Sequence, residues 1–161
     1  MFYMQLSMVI SRGLRNLTKN FKGRVVLGGN TTGEIIVTRQ GFNVLASYFG
    51  ALSTGSTICS DQNNKDLYGK DLKNKIICLP KTIGSTTGGM ILQSITEKGI
   101  GPSAMLFSEH IDSLAAAGII LCDVWNDRRI IAIDQLGDEF LNCVRNGQKI
   151  HIRQDGTIIV E

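Results

Sequence analysis

The middle of the chain alternates short apolar runs with segments of helical periodicity. The apolar runs are rich in β-branched residues and predict buried strands at residues 75–79, 104–107, 119–124 and 129–133. The periodic segments predict helices at residues 84–98, 111–117 and 134–145. Alternating strands and helices are typical of a parallel sheet, so an α/β arrangement is expected here.

Local signals place the ends and the inner faces of these helices. Gly99 ends the first helix, Gly118 closes the second, and Asp134 is a good N-cap for the third. The side chains expected to share an inward stripe are Met90, Ile91, Ser94 and Ile95 in the first helix, and Leu136, Phe140, Leu141 and Val144 in the third.

Both flanks of this region carry patterns of antiparallel strands. Residues 23–27 and 34–38 surround a Gly-rich turn and predict a β-hairpin or a sharp β-corner. Residues 149–153 and 157–160 surround an Asp-Gly pair, which is a strong signal for a two-residue hairpin turn. Added to the parallel sheet, these strands predict a three-layer β/β/α domain.

The first twenty residues differ from the rest of the chain. An apolar stretch precedes the basic residues there, which is the wrong order for a secretory signal and too short for a membrane span. We therefore predict an N-terminal extension at residues 1–20 and a single domain at residues 21–161.

The apolar residues in the segment 40–70 follow neither helical nor strand spacing. A long irregular segment inside a compact domain is usually functional or disordered. Its polar residues Asn43, Ser47, Asp61 and Gln62 are candidates for contact with a substrate or a partner. The alternative is that they are polar residues of the kind common in any loop. Its aromatic residues, Phe42, Tyr48 and Phe49, belong either to a subunit interface or to the core of this domain.

Composition narrows the classes of function. The chain has 161 residues, of which 43% are apolar and 19% charged, as in one globular domain. Its net charge is +3, aromatic residues are 6%, and no dense Lys/Arg run occurs, which argues against a nucleic-acid surface. We expect a cytoplasmic protein that binds neither nucleic acid nor a membrane.

Four cysteines occur at widely separated positions. Cys59, Cys78, Cys122 and Cys143 form no Cys-x-x-Cys pair, so neither a zinc site nor a redox pair is predicted. Three lie in apolar stretches and are expected to be core residues, and Cys59 lies in a polar segment. A reducing compartment follows as the expectation.

The passage at residues 80–89 carries the sharpest chemical signal. It follows a predicted strand and opens a helix, where ligands of α/β sheets bind and where N–H groups favour anions. Ser85, Thr86 and Thr87 add hydroxyl groups, although residue type alone favours a simple helix N-cap at Ser85 or Thr86. The run matches neither a Walker A loop nor a Gly-x-Ser-x-Gly elbow, and His110 and His151 have no evident link to it.

An ordered set of motifs resembles the small (swivel) subunit of the aconitase X family over residues 22–161. The motifs are Lys22-Gly23-Arg24-Val25-Val26, Thr32-Gly33-Glu34, Leu67-Tyr68-Gly69-Lys70, Lys75-Ile76-Ile77-Cys78-Leu79-Pro80, Gly84-Ser85-Thr86 and Pro102-Ser103-Ala104. The resemblance implies the swivelling β/β/α domain found in aconitase.

The same resemblance implies a hydro-lyase subunit that is inactive without its large subunit. It maps the general base onto Ser85, and we place Gly84, Thr86, Thr87, Asn43 and Ser47 at the substrate. It assigns an iron or iron–sulfur cluster to the large subunit of a heterodimer or larger assembly, and no metal ligand to this chain.

The substrate is also expected from resemblance. Residues 41–49 and 83–90 look like the branch that dehydrates cis-3-hydroxy-L-proline to Δ1-pyrroline-2-carboxylate. The alternatives are the branch that acts on mevalonate 5-phosphate and a non-catalytic binding domain of the same fold. A phosphohistidine swivel domain is disfavoured because residues 80–90 contain no histidine.

Overall fold

The computed structural model describes residues 18–161, which fold into strands and helices that follow one another closely. The strands are β1 (Lys19–Lys22), β2 (Arg24–Leu27), β3 (Thr31–Val37), β4 (Ile76–Leu79), β5 (Ala104–Phe107), β6 (Ile131–Asp134), β7 (Lys149–Ile152) and β8 (Thr157–Val160). The helices are α1 (Val44–Ser47), α2 (Phe49–Thr54), α3 (Gly88–Glu97), α4 (Ser113–Asn126) and α5 (Gly137–Cys143).

The strands form one sheet in the order β1-β8-β7-β3-β4-β5-β6-β2. Its centre, β3-β4-β5-β6, is parallel, which confirms the prediction from the alternating pattern. The four residues of β4, β5 and β6 are all buried, as expected for parallel strands covered on both faces. The predicted C-terminal hairpin is confirmed as the antiparallel pair β7–β8.

Strand β3 belongs to two arms of the sheet. Its first half pairs antiparallel with β7, where Thr31 lies opposite Ile152. Its second half pairs parallel with β4, where Ile35 lies opposite Ile76. The antiparallel arm β1-β8-β7 thereby folds over one face of the parallel sheet, while α3 and α4 cover the other, and the predicted β/β/α layering is confirmed.

Two apolar cores lie on either side of the parallel sheet. One packs Ile77, Leu79, Met105 and Phe107 against the helices. The other encloses Ile35, Cys78 and Leu106 together with the buried side chains of and around α5, which are Leu136, Phe140, Leu141 and Val144. The inward stripe predicted for this last helix is therefore confirmed.

The N-terminal hairpin prediction is wrong. Strands β2 and β3 do not pair, because β2 joins the far edge of the sheet beside β6 while β3 lies at its centre. Strand β1 continues almost directly into β2 and pairs with β8 at the opposite edge. This stretch therefore runs between the two edges and nearly closes the sheet.

The second predicted helix is too short, and the strand predicted at residues 119–124 is wrong. Helix α4 runs through Gly118 to Asn126, with Ile119 and Cys122 buried. Gly118 does not end the helix because its missing side chain is needed for packing: a Cβ there would lie 2.5 Å from the carbonyl oxygen of Gly89 in α3. The β-branched run that follows is helical because it packs on the sheet.

Two further details of the helix predictions are corrected. In α3 the buried side chains are Leu92, Ile95 and Thr96, whereas Met90 is 67% exposed, so the predicted stripe was rotated. Asp134 is not an N-cap: it ends β6, fully buried, and α5 begins later with Leu136 as its N-cap.

The segment at residues 40–70 contains α1 and α2, and two of its aromatic side chains belong to the core. Phe42 and Tyr48 are buried and meet edge to face with ring centroids 6.2 Å apart, whereas Phe49 is exposed. Cys59, Cys78 and Cys122 are buried free thiols and Cys143 is half-buried.

Two further predictions concern the N-terminal extension and membrane-spanning helices. The N-terminal extension predicted at residues 1–20 lies largely outside them and stays a prediction, with β1 beginning at Lys19. Across residues 18–161, no helix combines the length and the apolar character needed to cross a membrane.

Candidate functional site

Residues 80–87, which we call the Ser85 loop, leave the carboxyl end of β4 and lead into α3. The loop is held like an extra strand against the segment before α1: the Phe42 N–H donates to the Lys81 carbonyl oxygen and the Ile83 N–H donates to the Phe42 carbonyl oxygen, both at 2.9 Å. The loop therefore lies where ligands of open α/β sheets bind.

Two successive residues with positive φ turn the loop at its tip. Gly84 has φ 73° and Ser85 has φ 26°. Glycine is required at position 84 because a Cβ there would lie 2.8 Å from Nδ2 of Asn43. Asn43 is itself fixed as the N-cap of α1, where its Oδ1 accepts the Ala46 N–H at 3.1 Å.

The Ser85 hydroxyl has two contacts with Thr87. The oxygens Ser85 Oγ and Thr87 Oγ1 lie 2.5 Å apart, and the Thr87 N–H donates to Ser85 Oγ at 3.2 Å. Both contacts can stabilise negative charge on Ser85 Oγ, because the N–H is a donor and the Thr87 hydroxyl can act as one.

Helix α3 begins immediately after this pair. Its N-cap, Thr87, makes no side-chain capping hydrogen bond, and the Gly88 N–H donates to the Ser85 carbonyl oxygen at 3.1 Å. The positive end of the helix dipole therefore points at the Ser85 loop, which favours an anion or a developing alkoxide there.

A second set of contacts, which the sequence did not predict, ties the Ser85 loop to the segment after β5. The Thr82 hydroxyl donates to Asp112 Oδ2, and Lys81 forms an ion pair with Glu109 at 3.2 Å. Asp112 also caps α4 by accepting the Leu114 N–H at 2.8 Å. The only available signal was the rule that the carboxyl ends of neighbouring strands meet at one edge.

Asp134, at the carboxyl end of β6, anchors the same edge of the sheet. Arg24 holds its carboxylate through Nε at 2.8 Å and Nη2 at 2.6 Å, and the Ile111 N–H donates to it at 3.0 Å. Burial alone would raise the pKa of Asp134, but these donors and the Arg24 charge outweigh burial and lower it. His110 Nδ1 lies 3.5 Å from the same carboxylate.

The structure brings some of the predicted site residues together and separates others. Gly84, Ser85, Thr87 and Asn43 form one cluster, and Thr86 lies exposed within the loop. Ser47 does not reach this cluster, because its side chain is fully buried in the helix-side core. Its hydroxyl lies against the Cys59 thiol, whose pKa burial raises.

The described part of the chain does not fit an iron or iron–sulfur site. No three His, Cys, Asp or Glu side chains among residues 18–161 are grouped as metal ligands would be. The thiols of Cys59, Cys78 and Cys122 are buried, and burial raises the pKa of each, which opposes the thiolate form that binds metals.

Comparison with known proteins places this geometry in a family. The model of the aconitase X swivel domain matches residues 20–160. A phosphomevalonate dehydratase small subunit from Thermococcus onnurineus is 26% identical over 141 residues, covering 87% of this chain and 97% of that protein. The protein of the same name from Pyrococcus furiosus is 29% identical over 103 residues, covering 64% of this chain and 72% of its own length.

A solved structure of an aconitase X shares this fold. A crystal structure of Thermococcus kodakaraensis aconitase X in its holo-form superposes with a TM-score of 0.72 at 26% sequence identity. The superposition covers 89% of this chain and 98% of that one, so the shared architecture extends over nearly the whole domain. This chain therefore belongs to the aconitase X swivel-domain family.

Proposed function

We propose that this chain is the small subunit of a hydro-lyase and that Ser85 is the general base of an active site shared with a large subunit. The observation that carries the proposal is the environment of the Ser85 hydroxyl, which accepts the Thr87 N–H beside the N-terminus of α3. Relatives named as dehydratase small subunits support the reaction class. Removing water from a hydroxy acid requires a base for the carbon-bound proton.

The base acts as an alkoxide, and this chain supplies part of its stabilisation. The Thr87 N–H and hydroxyl are the nearest donors. The α3 dipole adds about 0.3–1 kcal/mol, or up to about 2 when partly buried, which corresponds to at most about 1.5 pKa units. That shift is too small for a serine hydroxyl, so positive charge from the large subunit must supply the remainder.

We also place the electrophile for the departing hydroxyl in the large subunit. Lys81, the cationic residue of the Ser85 loop, forms an ion pair with Glu109. We propose that the large subunit carries the iron or iron–sulfur cluster, because the described residues of this chain do not form a ligand set. The heterodimeric or larger assembly follows from this division of roles.

For the substrate we propose mevalonate 5-phosphate as the first candidate. The relatives reported above carry the phosphomevalonate name, and a loop of N–H groups at a helix N-terminus suits an anionic substrate. The resemblance of residues 41–49 to the hydroxyproline branch carries less weight, because Phe42 and Tyr48 in that segment are core residues. cis-3-Hydroxy-L-proline is kept as the second candidate because residues 83–90 resemble the hydroxyproline branch.

The test combines this chain with the aconitase-X-type large subunit from the same organism and measures dehydration of both substrates. Ser85→Ala is expected to lower kcat by about 10²–10⁴-fold, the usual contribution of a general base, while the subunits still assemble. Ser53→Ala removes an exposed hydroxyl in α2 and is expected to leave kcat unchanged. Full turnover in the Ser85 variant would contradict the assignment, and a stable chain without any partner or activity would favour a non-catalytic domain.

A further inference from the structure

A cleft of about 420 Å³ opens beside the Ser85 loop, between the start of α1 and the turn at residues 60–63. Its apolar wall is formed by Leu45, Ala46 and Phe49. Asn43 lines the cleft and also neighbours the Ser85 loop, because a Cβ at Gly84 would lie 2.8 Å from Asn43 Nδ2. We name it the Asp61 cleft after the one carboxylate that lines it.

Asp61 lines this cleft and has no cationic partner among residues 18–161. It is only 6% exposed, and its Oδ1 accepts the Asn63 N–H at 3.0 Å. Within residues 18–161, Oδ2 takes part in no hydrogen bond and Asp61 forms no ion pair. Oδ2 is not among the fully enclosed polar atoms that lack a partner, so solvent reaches it and a donor that enters the cleft can hydrogen-bond to it.

Phe49 adds an exposed aromatic ring to the lining of the cleft. Its ring is 64% exposed at the start of α2, although Phe42 and Tyr48 nearby are fully packed. An aromatic face beside a carboxylate matches the two preferences of a guanidinium group, which stacks on aromatic rings and donates in pairs to carboxylate oxygens. The cleft therefore offers a guanidinium group both a carboxylate and an aromatic ring among its lining residues.

We propose that the Asp61 cleft receives an arginine side chain of the large subunit and fixes that subunit over the Ser85 loop. The proposal rests on the proposed function, which requires a second chain to cover Ser85. Because Asn43 lines the cleft and neighbours Gly84, such a contact would lie next to the Ser85 loop. Arginine and aromatic residues in partly enclosed pockets are typical anchors of protein interfaces.

The experiment measures the Kd of this chain for the large subunit by isothermal titration calorimetry at 50 and 300 mM salt. Asp61→Asn keeps the Oδ1 acceptor that holds the turn, and we expect it to weaken binding at least tenfold and to reduce the salt dependence. Phe49→Ala is expected to weaken binding by a similar factor, with the salt dependence retained. Circular dichroism melts verify that both variants stay folded.

Two matched controls test whether the position matters. Asp138→Asn removes an exposed acidic charge from α5, and Trp125→Ala removes an aromatic ring that is 68% exposed on α4. Both variants are expected to bind the large subunit within twofold of the unmodified chain. Weaker binding for Trp125→Ala than for Phe49→Ala would place the interface on α4 and overturn the proposal.

The remaining outcomes separate this inference from the proposed function. If Asp61→Asn and Phe49→Ala bind normally while Ser85→Ala abolishes turnover, the cleft proposal is wrong and the proposed function stands. If Asp61→Asn raises KM at unchanged Kd, the cleft binds a cationic group of the substrate instead, which also overturns it. If the unmodified chain forms no complex, both proposals are wrong.

Discussion

The buried carboxylate of Asp134 joins three separate parts of the chain. It ends β6, accepts two hydrogen bonds from Arg24 in β2, and accepts the Ile111 N–H from the segment that leads into α4. One ionised side chain therefore fixes the edge of the sheet closed by β2 and the start of the helix layer.

This arrangement predicts a loss of stability in acid. The folded-state pKa of Asp134 is lowered from its ordinary value of 3.8, so its contribution is present above that value and is lost as the pH falls through 3.8 and below. Denaturant unfolding between pH 3 and pH 7 checks this expectation. Asp134→Asn should cost about 1–3 kcal/mol at pH 7 and should flatten the acid-side dependence, and an unchanged slope in the variant would contradict the assignment.

At the same scale, the sequence predicted part of the candidate site. The strand-to-helix passage and its hydroxyl residues, Ser85 and Thr87, could be predicted because they lie close together in sequence, whereas the role of Ser85 as base came only from the family resemblance. The Thr82–Asp112 contact was not found, because its members lie 30 positions apart and meet only when β4 and β5 pair. Ser47 was assigned to the substrate because a polar residue in an aperiodic segment gives no sign of burial.

Among the helices, α3 and α4 make the closest approach, and glycines permit it. A Cβ at Gly89 would lie 2.5 Å from the Leu114 carbonyl oxygen, and a Cβ at Gly118 would lie equally close to the Gly89 carbonyl oxygen. The backbones of the two helices are in direct contact there. This contact sets where α3 begins and therefore how its N-terminus meets the Ser85 loop.

We predict that Gly118→Ala destabilises the protein, although alanine is the better helix former. Overpacking of this kind costs about 1–3 kcal/mol, which exceeds the gain of up to about 1 kcal/mol in helix propensity. Gly50→Ala is the matched control, because a Cβ there meets its nearest atom at 3.6 Å and is expected to be neutral or stabilising. Urea midpoints compare the two variants, and a stabilised Gly118→Ala protein would show that the helices do not touch at this point.

The same contact explains the misassigned strand at residues 119–124. A glycine followed by a β-branched apolar run has the local pattern of a helix end and a strand. Its actual role depends on Gly89, about thirty residues earlier, which no local pattern contains. The parallel strands were predictable because each is a short apolar run whose identity does not depend on a distant partner.

On the scale of the whole molecule, buried cysteines lie in both apolar cores. Cys59 and Cys122 lie in the core beneath the helices, Cys78 lies in the core beneath the antiparallel arm, and Cys143 is half-buried on α5. Burial raises the pKa of the Cys59, Cys78 and Cys122 thiols, so little reactive thiolate is present at neutral pH.

We therefore predict that a thiol reagent such as Ellman's reagent modifies one cysteine rapidly in the native protein and four after unfolding in guanidinium chloride. Cys143→Ser should remove the rapid phase, and Cys78→Ser should leave it unchanged. Rapid reaction of two or more thiols in the Cys143→Ser protein would mean that one of the two cores is open to solvent.

The whole-molecule topology was predictable only in part. The parallel centre followed from alternation along the chain, and the β7–β8 hairpin followed from its Asp-Gly turn. The path of β1 and β2 between the two edges did not, because Lys19 pairs with Val160 and Arg24 with Asp134, more than one hundred residues away in each case. Such pairings depend on the completed sheet, which no local pattern reveals.

Strand β3 has a mechanical consequence. The first half of β3 pairs with the antiparallel arm and its second half pairs with the parallel sheet. Because the backbone of β3 is continuous, the antiparallel arm cannot rotate without the parallel sheet. A rotation of the antiparallel arm against a partner must therefore also turn β4, and with it the start of the Ser85 loop. Ser85 would consequently approach or leave a substrate only through movement of the antiparallel arm and the parallel sheet together.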